Sequence, residues 1–195
     1  GDNQELALEL LAEHDKIIIE SIKLFNGNIL VNRGDGFVVM FSYPKDAVLC
    51  SMDIQNKIAL RNKFNIKSRL FRIRIGIHTG NYSKDGDDYH GECIDGASIL
   101  EPLAPYGGIL ISSYLNSLLE LEDNIYTRKY DKVVLNDKEQ ASYKVYLNLL
   151  DWYKNKDNMK IHNIVEKKYL DLAHNLYGNG NYSGSIKFAN SVFEQ

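Results

Sequence analysis

Two short β-rich runs separated by an Asp-Gly pair constrain the fold of this chain more than any other feature. The runs are residues 29–31 and 37–41, and residues 32–36 join them. Asp and Gly both tolerate the positive φ values of a tight turn, so their position between two such runs predicts a β hairpin. We therefore expect Asp35 to lie on the turn of this hairpin.

Helical patterns surround the hairpin. Apolar residues recur at helical spacing before it, and Gly27 supplies a stop for that helix. After it, Pro44 is acceptable near a helix start, and Leu60 is one of the apolar residues available to face the core. Ser112 or Ser113 is expected to cap the last helix. The predicted helices are residues 4–25, a second that begins after a turn at residues 42–46, residues 92–103 and residues 112–119.

Strand patterns alternate with these helices. Residues 71–77 alternate apolar with polar or small residues, which predicts a strand with one buried face near the centre of a sheet. Residues 83–88 form a polar stretch that predicts a loop, and further strands are predicted at residues 109–111, 126–135 and 143–147. Helices interleaved with hairpins favour an α+β fold in which the helices pack on a mostly antiparallel sheet.

Composition excludes several classes of function. The chain has 195 residues, of which 44% are hydrophobic and 25% are charged, as in globular proteins. A net charge of −3 gives no basic field for nucleic acid. Cys50 and Cys93 lack metal-binding spacing, which favours a reducing cytoplasm, and the five histidines are scattered. No apolar run approaches the roughly 20 residues that span a bilayer.

The C-terminal part of the chain has a different character. Residues 151–158 are charged and poor in large aliphatics, which predicts a boundary between a first domain, residues 1–150, and a second, residues 158–195. Two helical patterns in the second domain, residues 161–177 and 182–193, resemble a single tetratricopeptide repeat. One repeat cannot bury its own apolar face, so a truncated array that binds protein partners is expected. The alternative is a plain C-terminal helical hairpin packed on the first domain.

Four spaced motifs resemble those of the class III adenylate/guanylate cyclases of bacteria. They are residues 25–27, 34–37, 72–80 and 105–112, and the resemblance covers residues 5–147. It implies a ferredoxin-like α+β fold that pairs head to tail, with nucleotide sites at the dimer interface. A homodimer is therefore expected, with Asp35 and Asp88 near the subunit boundary.

The resemblance also implies a pair of aspartates that hold two divalent metals, Mg²⁺ or Mn²⁺, on the nucleotide triphosphate. Asp35 matches the aspartate on the hairpin turn. The other should lie on a strand before the first helix, but Asp2 is too near that helix to match it. Either such a strand precedes Gly1 in the intact protein or the protein lacks it.

Other family positions carry substitutions. The base-selecting lysine falls on Val31, which donates no hydrogen bond, whereas Asp88 matches its partner aspartate. The asparagine and arginine that stabilise the transition state fall on Asp95 and Ile99. The triphosphate-binding lysine falls on Asn136. The cations that could substitute for it are Arg33, Lys132 and Lys138.

Two hypotheses about function follow. The favoured one is a degenerate nucleotidyl cyclase homology domain without turnover, which acts in signalling by dimerisation or nucleotide sensing and binds ATP or GTP weakly. The alternative is an active cyclase that makes a cyclic nucleotide from ATP or GTP with two divalent metals. For His78 we predict a hydrogen-bonded structural role, and for Arg72 and Arg74 the outward face of a strand.

Overall fold

The computed structural model describes residues 2–32, 34, 36–86 and 88–154. Contacts divide the chain into two compact units, Gly1–Leu147 and Asn148–Gln195. The described elements are α1 (Asp2–Leu24), β1 (Asn28–Asn32), β2 (Phe37–Met40), α2 (Pro44–Lys63), a 3-10 turn (Lys67–Arg69), β3 (Ile75–Ile77), β4 (Ser83–Asp85), β5 (Asp88–His90), α3 (Glu92–Leu103), β6 (Ile109–Ser112), α4 (Ser113–Leu118), β7 (Tyr126–Leu135), β8 (Lys138–Tyr146) and α5 (Leu149–Lys154).

The strands form one larger sheet and two hairpins. The larger sheet has the order β3-β6-β8-β7, in which β3 and β6 are parallel and the other pairs are antiparallel. The pairs β1-β2 and β4-β5 form separate antiparallel sheets of two strands each. This α+β arrangement confirms the predicted fold class and the hairpin before α2.

Strand β6 is the centre of the core, because both of its faces are covered. Ile109 and Ile111 pack with Val48 of α2 and Leu115 of α4, whereas Leu110 packs on the opposite face with residues of α3 and β7. The three β6 side chains are fully buried. Burial of each stabilises the fold by about 1.5–3 kcal/mol relative to an exposed side chain.

Helices α1 and α2 cover a second apolar cluster. Ile18 and Ile22 of α1 meet Ile54 and Ile58 of α2 there. Most of the partly buried side chains against this cluster come from the β1-β2 hairpin and its flanks and from the segment that leads into β3; the full set is Ile17, Phe25, Phe37, Val39, Phe41, Phe71, Ile73 and Ile75. The hairpin and β3 are thus held by the same pair of helices, although their strands belong to different sheets.

The prediction of a central strand over residues 71–77 was wrong in position and length. Only Ile75–Ile77 is a strand, and within the described residues it lies at the edge of its sheet. The carbonyl of Ile73 accepts from the backbone N–H of Gly107 at 2.9 Å and from Gln55 Nε2 at 3.2 Å. The Gln55 side chain of α2 therefore hydrogen-bonds to a backbone carbonyl that a neighbouring strand would otherwise pair.

Other local predictions had mixed outcomes. Ser112 caps α4, as expected, by accepting from the N–H of Leu115 at 3.3 Å. Leu60, expected in the core, is 57% exposed because it lies on the outer side of α2 near its end. Residues 83–88, expected as a loop, contain β4 and the start of β5. The tetratricopeptide-like helices, residues 161–177 and 182–193, lie outside the described residues.

Strand β8 begins earlier than predicted. Asn136 and Asp137 have positive φ values of 51° and 58°, which makes a two-residue turn between β7 and β8. Such a turn allows Leu135 and Lys138 to pair directly. The long β7-β8 hairpin therefore brings Asn136 to its tip.

Candidate functional site

Helix α3 carries two of the substituted family positions on one exposed face. Asp95 and Ile99 are separated by one helical turn, so their side chains are neighbours. Asp95 is exposed, and Ile99 is 41% exposed. The face therefore presents a carboxylate and an aliphatic group where the resemblance requires an amide and a guanidinium.

The first turn of α3 is acidic, and three of its backbone N–H groups donate within the chain. Glu92 and Asp95 are the acidic residues of that turn. The N–H groups of Ile94 and Asp95 both donate to the carbonyl of Gly91, at 2.9 Å and 3.0 Å, and Cys93 donates to Asn81 at 3.4 Å. A helix N-terminus normally attracts anions through free N–H groups and its dipole. Here three N–H groups donate to carbonyls of the chain, and two carboxylates already lie near the positive end of the dipole.

The tip of the β7-β8 hairpin meets this turn. Asn136 Nδ2 donates to Glu92 Oε1, a contact between residues 44 positions apart in the sequence. The structure therefore brings the position matched to the triphosphate-binding lysine against α3, beside the face that carries Asp95 and Ile99. Glu92 was not among the site residues predicted from the sequence, although its position in the first turn of a predicted helix could have indicated it.

Three cations could replace the missing lysine, and the structure describes two of them. Lys132 Nζ lies 2.6 Å from Glu139 Oε1 in a pair across β7 and β8. Lys138 is exposed at the start of β8. Arg33 lies outside the described residues. Glu92 and Asn136, which the structure joins at the first turn of α3, supply no positive charge. Arg74 pairs with α3 near its other end, where Nε lies 2.9 Å from Glu101 Oε1.

The two positions matched to base recognition lie on different sheets. Val31 is partly buried on β1, where it pairs with Val38 of β2. Asp88 is exposed on β5, where it pairs with Asp85 of β4. Val31 has no polar side-chain atom. Of the two matched positions, Asp88 is therefore the one that can hydrogen-bond to a purine base.

His78 lies under α3 rather than in an open site. Its Nδ1 is 2.7 Å from Oγ of the fully buried Ser112, which confirms the predicted hydrogen-bonded role. The ring lies so close to Gly96 of α3 that a Cβ there would collide with it. Burial lowers the pKa of His78 from its ordinary value of 6.5, and the nearby Glu92 opposes this in part. His78 is therefore a neutral link between β3, β6 and α3.

The described residues do not fit a pair of divalent metals. Within residues 2–32, 34, 36–86 and 88–154, no group of three or more His, Cys, Asp or Glu side chains is arranged to hold an ion. Asp35, the position matched to a metal ligand, lies outside them. We therefore derive no chemical step through Mg²⁺ or Mn²⁺. The helices in the described part of the chain also include none with the length and apolarity to cross a membrane.

Solved structures similar to this chain include nucleotidyl cyclases. An adenylate cyclase of Trypanosoma brucei in its monomeric state matches with a TM-score of 0.63 and 18% identity over 77% of this chain and 83% of that one. An adenylate/guanylate cyclase/hydrolase of Silicibacter pomeroyi matches with a TM-score of 0.61 and 20% identity over 66% and 77%. The chain has the class III nucleotidyl cyclase fold. No protein-family model matches it.

Curated relatives match over about half of this chain. "Serine/threonine-protein kinase pkn2" of Myxococcus xanthus is 26% identical over 107 residues, which are 55% of this chain and 13% of that protein. "Putative adenylate cyclase 3" of Rhizobium meliloti is 27% identical over 103 residues, 53% of this chain and 18% of that protein. The chain thus spans less than a fifth of the length of these two relatives.

Proposed function

We propose that this cyclase-fold domain is degenerate and acts in signalling as a dimerisation or nucleotide-sensing module, without turnover. The main observation that supports the absence of turnover is the composition of the exposed face of α3. Phosphoryl transfer needs positive charge around the reacting phosphate. This face offers Asp95 and Ile99 instead, and the carboxylate of Glu92 holds Asn136 beside it. A triphosphate placed here would meet negative charge at short range.

Weak and unselective nucleotide binding is the second part of the proposal. Discrimination between bases depends on leaving the wrong base with unpaired polar groups. Asp88 is exposed on β5, and its matched partner Val31 has no polar side-chain atom. Neither adenine nor guanine would form a hydrogen bond with Val31, so neither ATP nor GTP would be strongly preferred.

Exposed apolar side chains support pairing of two copies. Ile99 and Leu103 are four residues apart on α3 and are 41% and 49% exposed. Tyr106, just after the helix, is 72% exposed. Substitution of an arginine position by isoleucine extends this apolar surface while it removes charge. One similar solved structure, with a TM-score of 0.55 and 20% identity, is described as a "non-canonical dimeric guanylyl cyclase domain" from Blastocladiella emersonii.

The proposal extends to the setting of the domain. The two cysteines, Cys50 and Cys93, are free thiols, which suits the reducing cytoplasm. Residues 158–195 would recruit protein partners, as their repeat-like pattern indicates. In this arrangement the cyclase-fold domain supplies pairing and the repeat supplies attachment.

A cyclase assay tests the proposal directly. The purified chain is incubated with ATP or GTP and with Mg²⁺ or Mn²⁺, and cyclic nucleotide is measured against a blank without protein. We expect no product above the blank, while circular dichroism shows a folded protein. Product that disappears in an Asp35→Ala variant would establish the alternative, an active cyclase, and overturn the proposal. Product that survives in Asp35→Ala would point to a contaminant and would leave the expected result in place.

A further inference from the structure

One continuous part of the chain carries only positive charges. Between Asp53 and Asp85 there is no acidic residue, although the whole protein has a net charge of −3. This basic segment contains eight cationic residues: Lys57, Arg61, Lys63, Lys67, Arg69, Arg72, Arg74 and Lys84. Five of these residues lie in α2 or in the turn that follows it.

The same place displays apolar side chains to solvent. Phe64, the C-terminal cap of α2, is 81% exposed, and Ile66 is 69% exposed. Leu60 lies one helical turn before Phe64 and is 57% exposed. Side chains exposed to this extent project from the surface rather than line a groove. Adjacent exposed apolar residues mark an interaction site more often than isolated ones do.

Hydrogen bonds hold the turn in this conformation. Asn65 Nδ2 donates to the carbonyl of Arg61 at 2.9 Å, and Asn62 Nδ2 donates to the carbonyl of Phe71 at 2.7 Å. The backbone N–H of Arg69 donates to the carbonyl of Ile66 at 2.9 Å. Phe64 and Ile66 are therefore presented by a fixed turn, so little ordering is needed when a partner covers them.

Arg61, Arg69 and Lys57 form ion pairs within the fold, whereas Lys63 and Lys67 are exposed. Arg61 lies 2.5 Å from Glu13 Oε2, and Arg69 lies within 3.0 Å of both Glu13 and Glu9. These guanidinium groups lower the pKa of Glu13, so it stays charged and keeps them paired. Among the described residues, Lys63 and Lys67 make no ion pair; both are exposed beside Phe64 and Ile66.

The geometry points to an anionic lipid bilayer as the partner of this surface, which consists of Leu60, Lys63, Phe64, Ile66 and Lys67. Projecting apolar side chains enter the boundary between head groups and acyl chains, and flanking lysines meet the anionic head groups. A bilayer suits a convex surface because a fluid layer needs no complementary pocket. The surface is remote in sequence from the α3 site, so this inference does not rest on the proposed function.

Vesicle cosedimentation of the full 195-residue chain tests the inference. We expect binding to vesicles of phosphatidylcholine with phosphatidylglycerol, little binding to phosphatidylcholine alone, and a decrease as salt screens the charges. Lys63→Gln with Lys67→Gln should lower the partition coefficient by about fivefold for each charge removed. Phe64→Ser with Ile66→Ser should lower it at least as much, because the apolar contact is lost.

Matched controls come from exposed residues elsewhere. Leu121 is 95% exposed, and Lys129 and Lys138 are exposed lysines on the β7-β8 hairpin. Leu121→Ser and Lys129→Gln with Lys138→Gln should bind vesicles as the unaltered chain does. Equal losses in these controls, or no binding to either vesicle, would overturn the inference. Absence of vesicle binding, combined with a lower mass by light scattering for Phe64→Ser with Ile66→Ser, would assign the surface to a protein contact instead.

Discussion

Asn136, at the tip of the β7-β8 hairpin, donates its side-chain amide to the carboxylate of Glu92 in the first turn of α3. This contact joins a position where the cyclase resemblance expects a cation to a helix start that already carries two carboxylates. A lysine at residue 136 would have left a positive charge there. The asparagine instead satisfies a hydrogen bond and leaves the negative charge of the turn in place.

Neutralising this turn should improve triphosphate binding. In Glu92→Gln with Asp95→Asn, we expect ATP affinity to rise by about fivefold for each charge removed, since a surface charge contact in water is worth about 1 kcal/mol. The same change should lower the stability of the fold by about 0.3–1 kcal/mol for each carboxylate, because both carboxylates favour the helix dipole. Titration calorimetry and urea unfolding measure the two effects.

The control for that prediction removes the same charge elsewhere. Glu120→Gln with Asp123→Asn changes two exposed acidic residues after α4. This variant should bind ATP as weakly as the unaltered chain. If both double variants gain affinity equally, net charge rather than the α3 turn controls binding.

His78 should make stability sensitive to mild acid. Burial lowers its pKa below 6.5. Just below pH 6.5, His78 is therefore protonated in the unfolded chain and still neutral in the folded chain. The stabilisation is complete above pH 6.5 and decreases as the pH falls toward the lowered pKa of the folded state. Urea unfolding followed over this range should show the slope, and His78→Asn should remove it.

Glu13 provides the internal comparison for that experiment. Its pKa is lowered by hydrogen bonds from Arg61 and Arg69, so its contribution is present above 4.5 and is lost only at lower pH. A slope that lies entirely below pH 4.5 in the unaltered chain would show that His78 contributes nothing.

Gly96→Ala should destabilise the domain, contrary to the usual preference of helices. Alanine within a helix is normally favoured over glycine by about 0.8–1 kcal/mol. At Gly96, however, a Cβ would collide with the ring of His78. Overpacking of this kind costs about 1–3 kcal/mol, and the measurement is the free energy of unfolding. Ser98→Ala, at an exposed position of the same helix, is the control and should be neutral or slightly stabilising.

A second variant identifies the cause. If the His78 ring is responsible, Gly96→Ala should cost less in a His78→Ala background than in the unaltered chain. An equal cost in both backgrounds would assign the effect to the helix backbone instead.

Features of the fold that depend on nearby residues could be predicted from the sequence. Two β-rich runs on either side of residues 32–36, with an Asp-Gly pair between them, predicted the β1-β2 hairpin, and the serines before a helical pattern predicted the cap of α4. The approximate limits of α1, α2 and α3 also agree with the structure. Turn chemistry and apolar periodicity act over a few residues, so the sequence displays them directly.

Features that depend on distant residues could not. The edge position of β3 depends on which strands pair with it. Next to β3, Gln55 of α2 donates a hydrogen bond to the backbone carbonyl of Ile73. The contact of Asn136 with Glu92 needs the tip of a hairpin to reach a helix 44 residues earlier. For the candidate site, the sequence identified Asp95, Ile99 and Asn136 through the resemblance, but it did not show that a carboxylate would hold Asn136.

The exposed apolar face of α3 should mediate self-association. Ile99 and Leu103 lie on neighbouring turns and are each more than two-fifths exposed, so a partner that covers them removes apolar surface from water. Ile99→Glu with Leu103→Glu should weaken the homodimer by at least tenfold, because two buried charges would lack partners. Light scattering over a range of concentrations measures the change.

Leu118→Glu, at a 48% exposed position at the end of α4, is the matched control and should leave the mass unchanged. A monomeric mass for the unaltered chain at all concentrations, or an equal decrease for the α4 control, would contradict the role of α3 in pairing.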